Sequence, residues 1–201
     1  RSGAVALGVP EGNRVVLSVA RLYEEKHVDR MLRAAPAVLA ERPDVSFLVV
    51  GEGEERGPLE ALAAQLGVSG NVVFAGAVSH DDLPGVYAAS DVFVTVADRT
   101  NAFNTLYESM LSALPVVALD TGRTADFVEH DRTGVLLSTD KLETLPRLIL
   151  DLLNDDARAR ALGEAARSRT DERFPTIEER QAMEVEVVER AVREHGGRTQ
   201  V

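Results

Sequence analysis

The chain has 201 residues, no cysteine, 22 basic and 33 acidic side chains, and a formal net charge of −11. That length suits one domain or two small ones with an uncrosslinked core, and the lack of cysteine excludes disulfides, thiolate chemistry and cysteine-ligated metals. The acidic balance disfavours a nucleic-acid partner, which needs a basic face, and the apolar runs are too short to span a bilayer.

Arg1 in place of an initiator methionine fits a fragment or a processed start, and nothing after it resembles a signal peptide. The first apolar run, 15–19, reads as a strand. It leads through Arg21 and Lys26 into a segment where Val28, Met31, Leu32, Ala35, Val38 and Leu39 recur at helical spacing, so one helix is expected, kinked at Pro36. In an open α/β sheet ligands bind beyond the carboxyl ends of the strands. Arg21 and Lys26 therefore stand where an anion is expected, a planar fork beside a compact charge. The competing expectation is that both are surface charges paired with Glu24, Glu25 or Asp29.

A second strand, 45–50, turns through Gly51-Glu52-Gly53 toward a helix around 59–66. The dinucleotide fingerprint would need a third glycine where Arg56 stands, and Glu52, Glu54 and Glu55 crowd a helix start that would have to receive a pyrophosphate. A simple tight turn is the expectation. The third strand, 72–74, runs to Gly76; Ser79 is expected to cap the next helix, backbone groups near Val78 could recognise a planar base, and His80 reads as exposed.

After a strand at 92–96 come Asp98, Thr100, Asn101 and Asn104, then a helix start at Thr105 and Leu106, then Glu108 among Leu106, Met110 and Leu111, then a buried strand at 116–119. A carboxylate can accept bonds from both hydroxyls of a ribose, and helix-start amides suit a diphosphate. Gly122 relaxes the next turn, Thr124 is expected to cap a short helix toward His130, and 134–137 is the last strand. Beyond it 142–153, 157–169 and 177–194 read as helices, and 196–201 should fray. Apolar strands alternating with helices imply a doubly wound, Rossmann-like α/β fold: a parallel sheet of about six strands, core 14–138, followed by C-terminal helices within 141–195, all in a single domain spanning 1–201. No Ser/His/Asp arrangement, metal-ligand spacing or P-loop appears, so nucleophilic hydrolysis, zinc chemistry and ATP hydrolysis lack support.

Taken in order, several motifs together resemble the C-terminal, nucleotide-sugar-binding half of retaining GT-B glycosyltransferases of family 4. They are Ala20-Arg21-Leu22 with Lys26, Gly51-Glu52-Gly53, Val73-Phe74 with Gly76, Tyr87-Ala-Ala-Ser-Asp91-Val-Phe-Val, and Leu106-Tyr107-Glu108 with Pro115-Val116-Val117. The resemblance implies transfer of a hexosyl group, with retention, from a UDP- or GDP-linked sugar to a sugar, lipid or small-molecule acceptor. It needs no cofactor or metal if Arg21 and Lys26 suffice. It implies Arg21, Lys26 and the amides at Thr105 and Leu106 for the donor diphosphate, Glu108 for the ribose, the Val78 backbone for the base, and Thr100, Asn101 and Asn104 for the donor sugar.

Three departures stand out: Thr100 replaces a glutamate that the family places beside the transferred sugar, and Ala20 and His27 replace glycines, which should tighten the phosphate loop. The family's N-terminal acceptor domain is absent from this chain, so the domain alone is expected to be inactive, and no residue within it is assigned as catalytic. The implied location is cytoplasmic, with room for peripheral membrane contact through that other domain. A non-catalytic nucleotide-sugar-binding module, a dehydrogenase and a purely structural interaction domain are the rivals; the first draws on Thr100, and the second is opposed by Arg56.

Overall fold

Successive residues of a strand point to opposite faces of its sheet, so a strand that is apolar throughout needs cover on both. The computed structural model, which describes residues 2–98 and 104–173, has this arrangement. Its strands are β1 (Arg14–Val19), β2 (Val45–Val50), β3 (Val72–Gly76), β4 (Val92–Thr95), β5 (Val116–Leu119) and β6 (Val135–Leu137), with helices α1 (Ser2–Ala6), α2 (Val28–Glu41), α3 (Arg56–Gln65), α4 (Leu83–Ala89), α5 (Asn104–Leu111), α6 (Leu145–Asn154) and α7 (Asp156–Arg173). The strands pair in parallel in the order β3-β2-β1-β4-β5-β6. This is the doubly wound α/β fold expected from the sequence.

The core divides cleanly between the two faces. Val16, Phe47, Val49, Val94, Val117 and Leu119 face α2, α3 and α6, whereas Val15, Leu17, Leu48, Phe93, Val116 and Ala118 face α1, α4 and α5. α2 runs through Pro36 as one helix. α7 wraps the sheet edge, giving Leu162 to the first cluster and Ala166 to the second. Among the described residues no helix is long and apolar enough to cross a membrane.

Some expectations need correction. α1 went unrecognised, since five residues carry too little periodicity to be read; it docks on α4 where a Cβ on Gly3 would lie 2.4 Å from the Gly85 carbonyl oxygen. Ser79 does not cap α4 itself. Its hydroxyl accepts from the Asp82 amide at 3.2 Å and donates to the Asp82 carboxylate at 2.6 Å, and its carbonyl accepts from the Leu83 amide, closing a capped turn one step before α4, because Pro84 sets the helix start later. Thr124 is likewise no cap: it is buried within a 3-10 turn (Thr124–Asp126) and donates to the Thr121 carbonyl at 2.9 Å. The expected helix 177–194 and the fraying end 196–201 lie outside the described residues.

Gly163 sets how closely α7 approaches the end of α5, for a Cβ there would lie 2.0 Å from the Ala113 carbonyl oxygen. Backbone on backbone cannot yield, so Gly163→Ala should cost about 1–3 kcal/mol. Urea unfolding should show a lower midpoint with an unchanged slope, and an unchanged midpoint would mean that α7 is not held there.

Candidate functional site

β1 has β2 on one side and β4 on the other. The chain leaving β1 enters α2, whose Met31 and Leu32 pack on one face, while the chain leaving β4 enters α5, whose Leu106 and Met110 pack on the other. Connections that diverge toward opposite faces leave a crevice above the carboxyl ends of the two strands. A cleft of about 250 Å³ lies there, with Arg21 and Lys26 on the β1 side, Val96 and Ala97 at its base, and Asn104, Thr105 and Glu108 on α5; His80 and Leu83 close a third side.

The turn after β2 shapes the loop that carries Arg21. A Cβ on Gly51 would lie 1.9 Å from the Ala20 carbonyl oxygen, and one on Gly53 would lie 2.2 Å from that of Leu22. The Leu22 amide donates to the Glu52 carbonyl at 2.9 Å, and the Glu55 amide donates back to the Leu22 carbonyl at 3.0 Å. The two glycines thus serve a backbone contact that supports the Arg21 loop. Glu52 pairs with Arg56, which also bonds Glu60 at 2.9 Å, so of the three acids that crowd this helix start Glu52 is engaged by its own helix.

Arg21 and Lys26 are not paired with Glu24, Glu25 or Asp29. Among the described residues neither cation makes an ion pair: Arg21 lies over the Tyr23 ring, 5.3 Å from its centroid, and Asp29 is bonded instead by Arg33 at 3.3 Å. Next to Lys26, His27 takes a left-handed conformation with φ 48° and ψ 41°, which explains why glycine suits this position. Its Nε2 lies 2.9 Å from Asp98 Oδ2. Arg30 grips the same carboxylate with a two-pronged bond at 2.6 and 3.1 Å and also donates to the Val96 carbonyl at 2.8 Å. The Arg30 hydrogen bond, and to a smaller degree the charge of His27, hold the Asp98 carboxyl below its usual range. This clasp ties the loop that carries Lys26 to the end of β4, and no local sequence pattern announces it.

On the opposite wall Asn104 is exposed and Thr105 half-buried at the start of α5, where first-turn amides lack helical acceptors. Leu106 is buried in the core, so its backbone alone can serve the cleft. Glu108 is half-buried, and the Tyr87 hydroxyl donates to its Oε2 at 2.8 Å. Burial, and next the bond to Glu108, push the Tyr87 phenol far above its ordinary value, so it remains a donor. Tyr87 sits 21 residues before Glu108 on a different helix, a proximity that no local spacing announces. Val78 is half-buried against the apolar cluster and does not line the cleft, whereas His80 and Leu83 just beyond it do. Thr100 and Asn101 lie outside the described residues.

Past Glu108 a groove of about 270 Å³ continues between α4 and α5, walled by Leu83, Pro84, Tyr87 and Leu111. A larger hollow of about 400 Å³ between α2 and α3 mixes Glu24, Asp29 and Glu55 with Arg33, a poor setting for an anion. Among the described residues no cluster of three His, Cys, Asp or Glu could hold a metal ion.

The sequence pattern of the family described as "Glycosyl transferases group 1" matches residues 4–169. A GDP-mannose-dependent alpha-mannosyltransferase of Mycolicibacterium smegmatis is 38% identical over 159 residues, covering 79% of this chain and 39% of that protein. A 2-deoxystreptamine glucosyltransferase of Streptomyces kanamyceticus is 30% identical over 151 residues, 75% of this chain and 39% of that protein. The chain therefore spans well under half the length of these relatives. Among solved structures, Anabaena Alr3699/HepE in complex with UDP and glucose superposes with a TM-score of 0.80 at 24% identity, covering 92% of this chain and 50% of that one. WaaG, a glycosyltransferase involved in lipopolysaccharide biosynthesis, gives 0.75 at 26% identity, covering 85% and 46%. The Rossmann-like fold matches these neighbours of the GT-B type.

Because the folded pKa of Asp98 is lowered, its stabilising contribution is present above the ordinary carboxylate value of about 3.9 and is lost as pH falls through the lower folded value. Asp98 is 44% exposed, so solvent screening limits the effect of Asp98→Asn at pH 7 to less than about 1 kcal/mol. Thermal unfolding should show wild type and variant converging as pH falls below the ordinary carboxylate range; a gap that does not narrow there would contradict the clasp.

Proposed function

The chain belongs to the group 1 glycosyl transferases, and on that premise we propose that it is the donor-binding half of an enzyme that transfers a hexosyl group from a nucleoside-diphosphate sugar. One observation carries the reading. Two cations that have no carboxylate partner among the described residues face a half-buried glutamate across a single cleft at the point where the strand order reverses.

The donor's parts have matching demands. A diphosphate needs positive charge and oriented N–H groups, which Arg21, Lys26 and the amides of Thr105 and Leu106 would supply. A ribose offers two neighbouring hydroxyls as donors, and Glu108 is the carboxylate acceptor at the right end of the cleft. The base would lie beyond Glu108, near the backbone at Val78 and the wall formed by Leu83 and Leu111; the hexose would lie toward Thr100, Asn101 and Asn104. As the sugar departs, negative charge grows on the diphosphate. Arg21, Lys26 and the start of α5 would then stabilise the transition state more than the ground state.

The proposal extends to a family 4 type of enzyme, to retention at the transferred carbon, and to a UDP- or GDP-linked donor; relatives whose names include GDP-mannose support that donor class. The acceptor, a sugar, lipid or small molecule, would be held by a further domain, and closure between the two would exclude water and align the reactants. Such an enzyme works on the cytoplasmic side, where a peripheral membrane contact would belong to that other domain. Turnover by the residues described here alone is not expected. A second reading, a binding module without transfer, draws on Thr100, which stands where the family has a glutamate.

Calorimetric titration with UDP, GDP and their sugars tests both. Arg21→Ala and Glu108→Ala should each weaken nucleotide binding about tenfold or more, as expected for loss of a charged hydrogen bond. Nucleotide binding with no preference for any attached sugar would favour the binding module, and no binding of either nucleotide would sink both readings.

A further inference from the structure

Glu108 meets the cleft with one of its oxygens already held. The Tyr87 hydroxyl donates to Oε2 at 2.8 Å, and among the described residues no other side chain bonds that carboxylate. Tyr87 itself cannot follow a moving partner. It is 2% exposed, stands edge-on to Phe93 with ring centroids 6.0 Å apart, and packs in the same apolar cluster as Val86, Leu106 and Met110. The rigid core of one helix, α4, thus fixes a flexible acid on another, α5.

A free glutamate samples many side-chain rotamers and must surrender them to bind a ligand in one geometry. A bond from an immobile donor removes that freedom beforehand, which is how a preorganised site gains affinity without a new ligand contact. The nature of the donor matters as well. A carboxylate has about four lone-pair positions, and Tyr87 takes one, so enough remain for two ribose hydroxyls. A cation in place of the phenol would neutralise the acid and weaken it as an acceptor. The neutral hydroxyl leaves the charge in place, and since burial keeps the phenol protonated it does not become a second anion.

Building on the donor-site reading above, we propose that Tyr87 is a positioning and specificity-determining residue. By holding Oε2 it aims the rest of the Glu108 carboxylate at the vicinal hydroxyls of the donor ribose, so that preference for ribonucleotides over 2′-deoxyribonucleotides depends on Tyr87 as well as on Glu108.

The test is calorimetric titration of the protein, at neutral pH, with UDP and GDP and with their 2′-deoxyribose counterparts. Wild type should favour the ribose form of its preferred nucleotide by about tenfold or more. Glu108→Ala should abolish that preference, Tyr87→Phe should cut it to about threefold or less, and the double variant should behave like Glu108→Ala alone. Phe93→Leu serves as the structural control. It disturbs the packing under the Tyr87 ring but leaves the hydroxyl, so it should lower the melting temperature and keep the ribose preference; loss of preference in this control would mean that packing, rather than the hydroxyl, sets it, and would overturn the inference. A Tyr87→Phe protein that keeps full ribose preference would overturn the role of Tyr87 while leaving the donor site standing. A Glu108→Ala protein that keeps it, or a wild type that binds neither nucleotide, would overturn the donor-site reading and this inference with it.

Discussion

Placing β1 between β2 and β4 obliges the two neighbouring strands to send their chains to opposite faces of the sheet. α2 and α5 then cannot close over the space between them, and the crevice that remains is bounded by the loop after β1 and the first turn of α5. Everything assigned to the site depends on that divergence. It brings Arg21 and Lys26 opposite Glu108, though more than 80 residues separate them in sequence. The supports follow the same logic: Gly51 and Gly53 hold the β1 loop from behind, and Arg30 with His27 fastens it to the end of β4 through Asp98.

The electrostatics are local rather than global. A chain of net charge −11 is a poor general host for an anion, yet many of its carboxylates near this end of the sheet are occupied: Asp98 by Arg30, Glu52 by Arg56, Asp29 by Arg33. Such pairs add little to stability when exposed. Their value here is that they keep those acids from neutralising Arg21 and Lys26, which keep their charge for the cleft. Glu108 is handled differently: its Oε2 accepts a hydrogen bond from a neutral phenol rather than from a cation.

How much of this could be read from the sequence depended on how far apart the interacting parts lie. The six strands were legible because each is a short, largely apolar run, β2 and β5 buried along their whole length, and Glu108 stood out because its neighbours on α5 are apolar. Arg21 and Lys26 were found by their place after the first strand. What escaped was set by contacts across the fold. Neither the role of Tyr87 nor the clasp on Asp98 leaves a local pattern, and the glycines after β2, first compared with a nucleotide fingerprint, answer to the carbonyls of Ala20 and Leu22. Ser79 and Thr124 misled for a related reason: a hydroxyl before a helix can as readily close a turn, and which occurs depends on where the neighbouring helix can begin. His27 was suspected of tightening the loop, and it does occupy a left-handed position, but its imidazole bonds Asp98.

The central claim is that one nucleoside diphosphate lies across the crevice between β1 and β4. A crystal structure of the protein with UDP or GDP bound tests it most directly. The account predicts the diphosphate between Arg21, Lys26 and the first-turn amides of α5, with both ribose hydroxyls within hydrogen-bonding distance of Glu108. A nucleotide bound instead at the Gly51–Gly53 turn, or with its ribose away from Glu108, would contradict it.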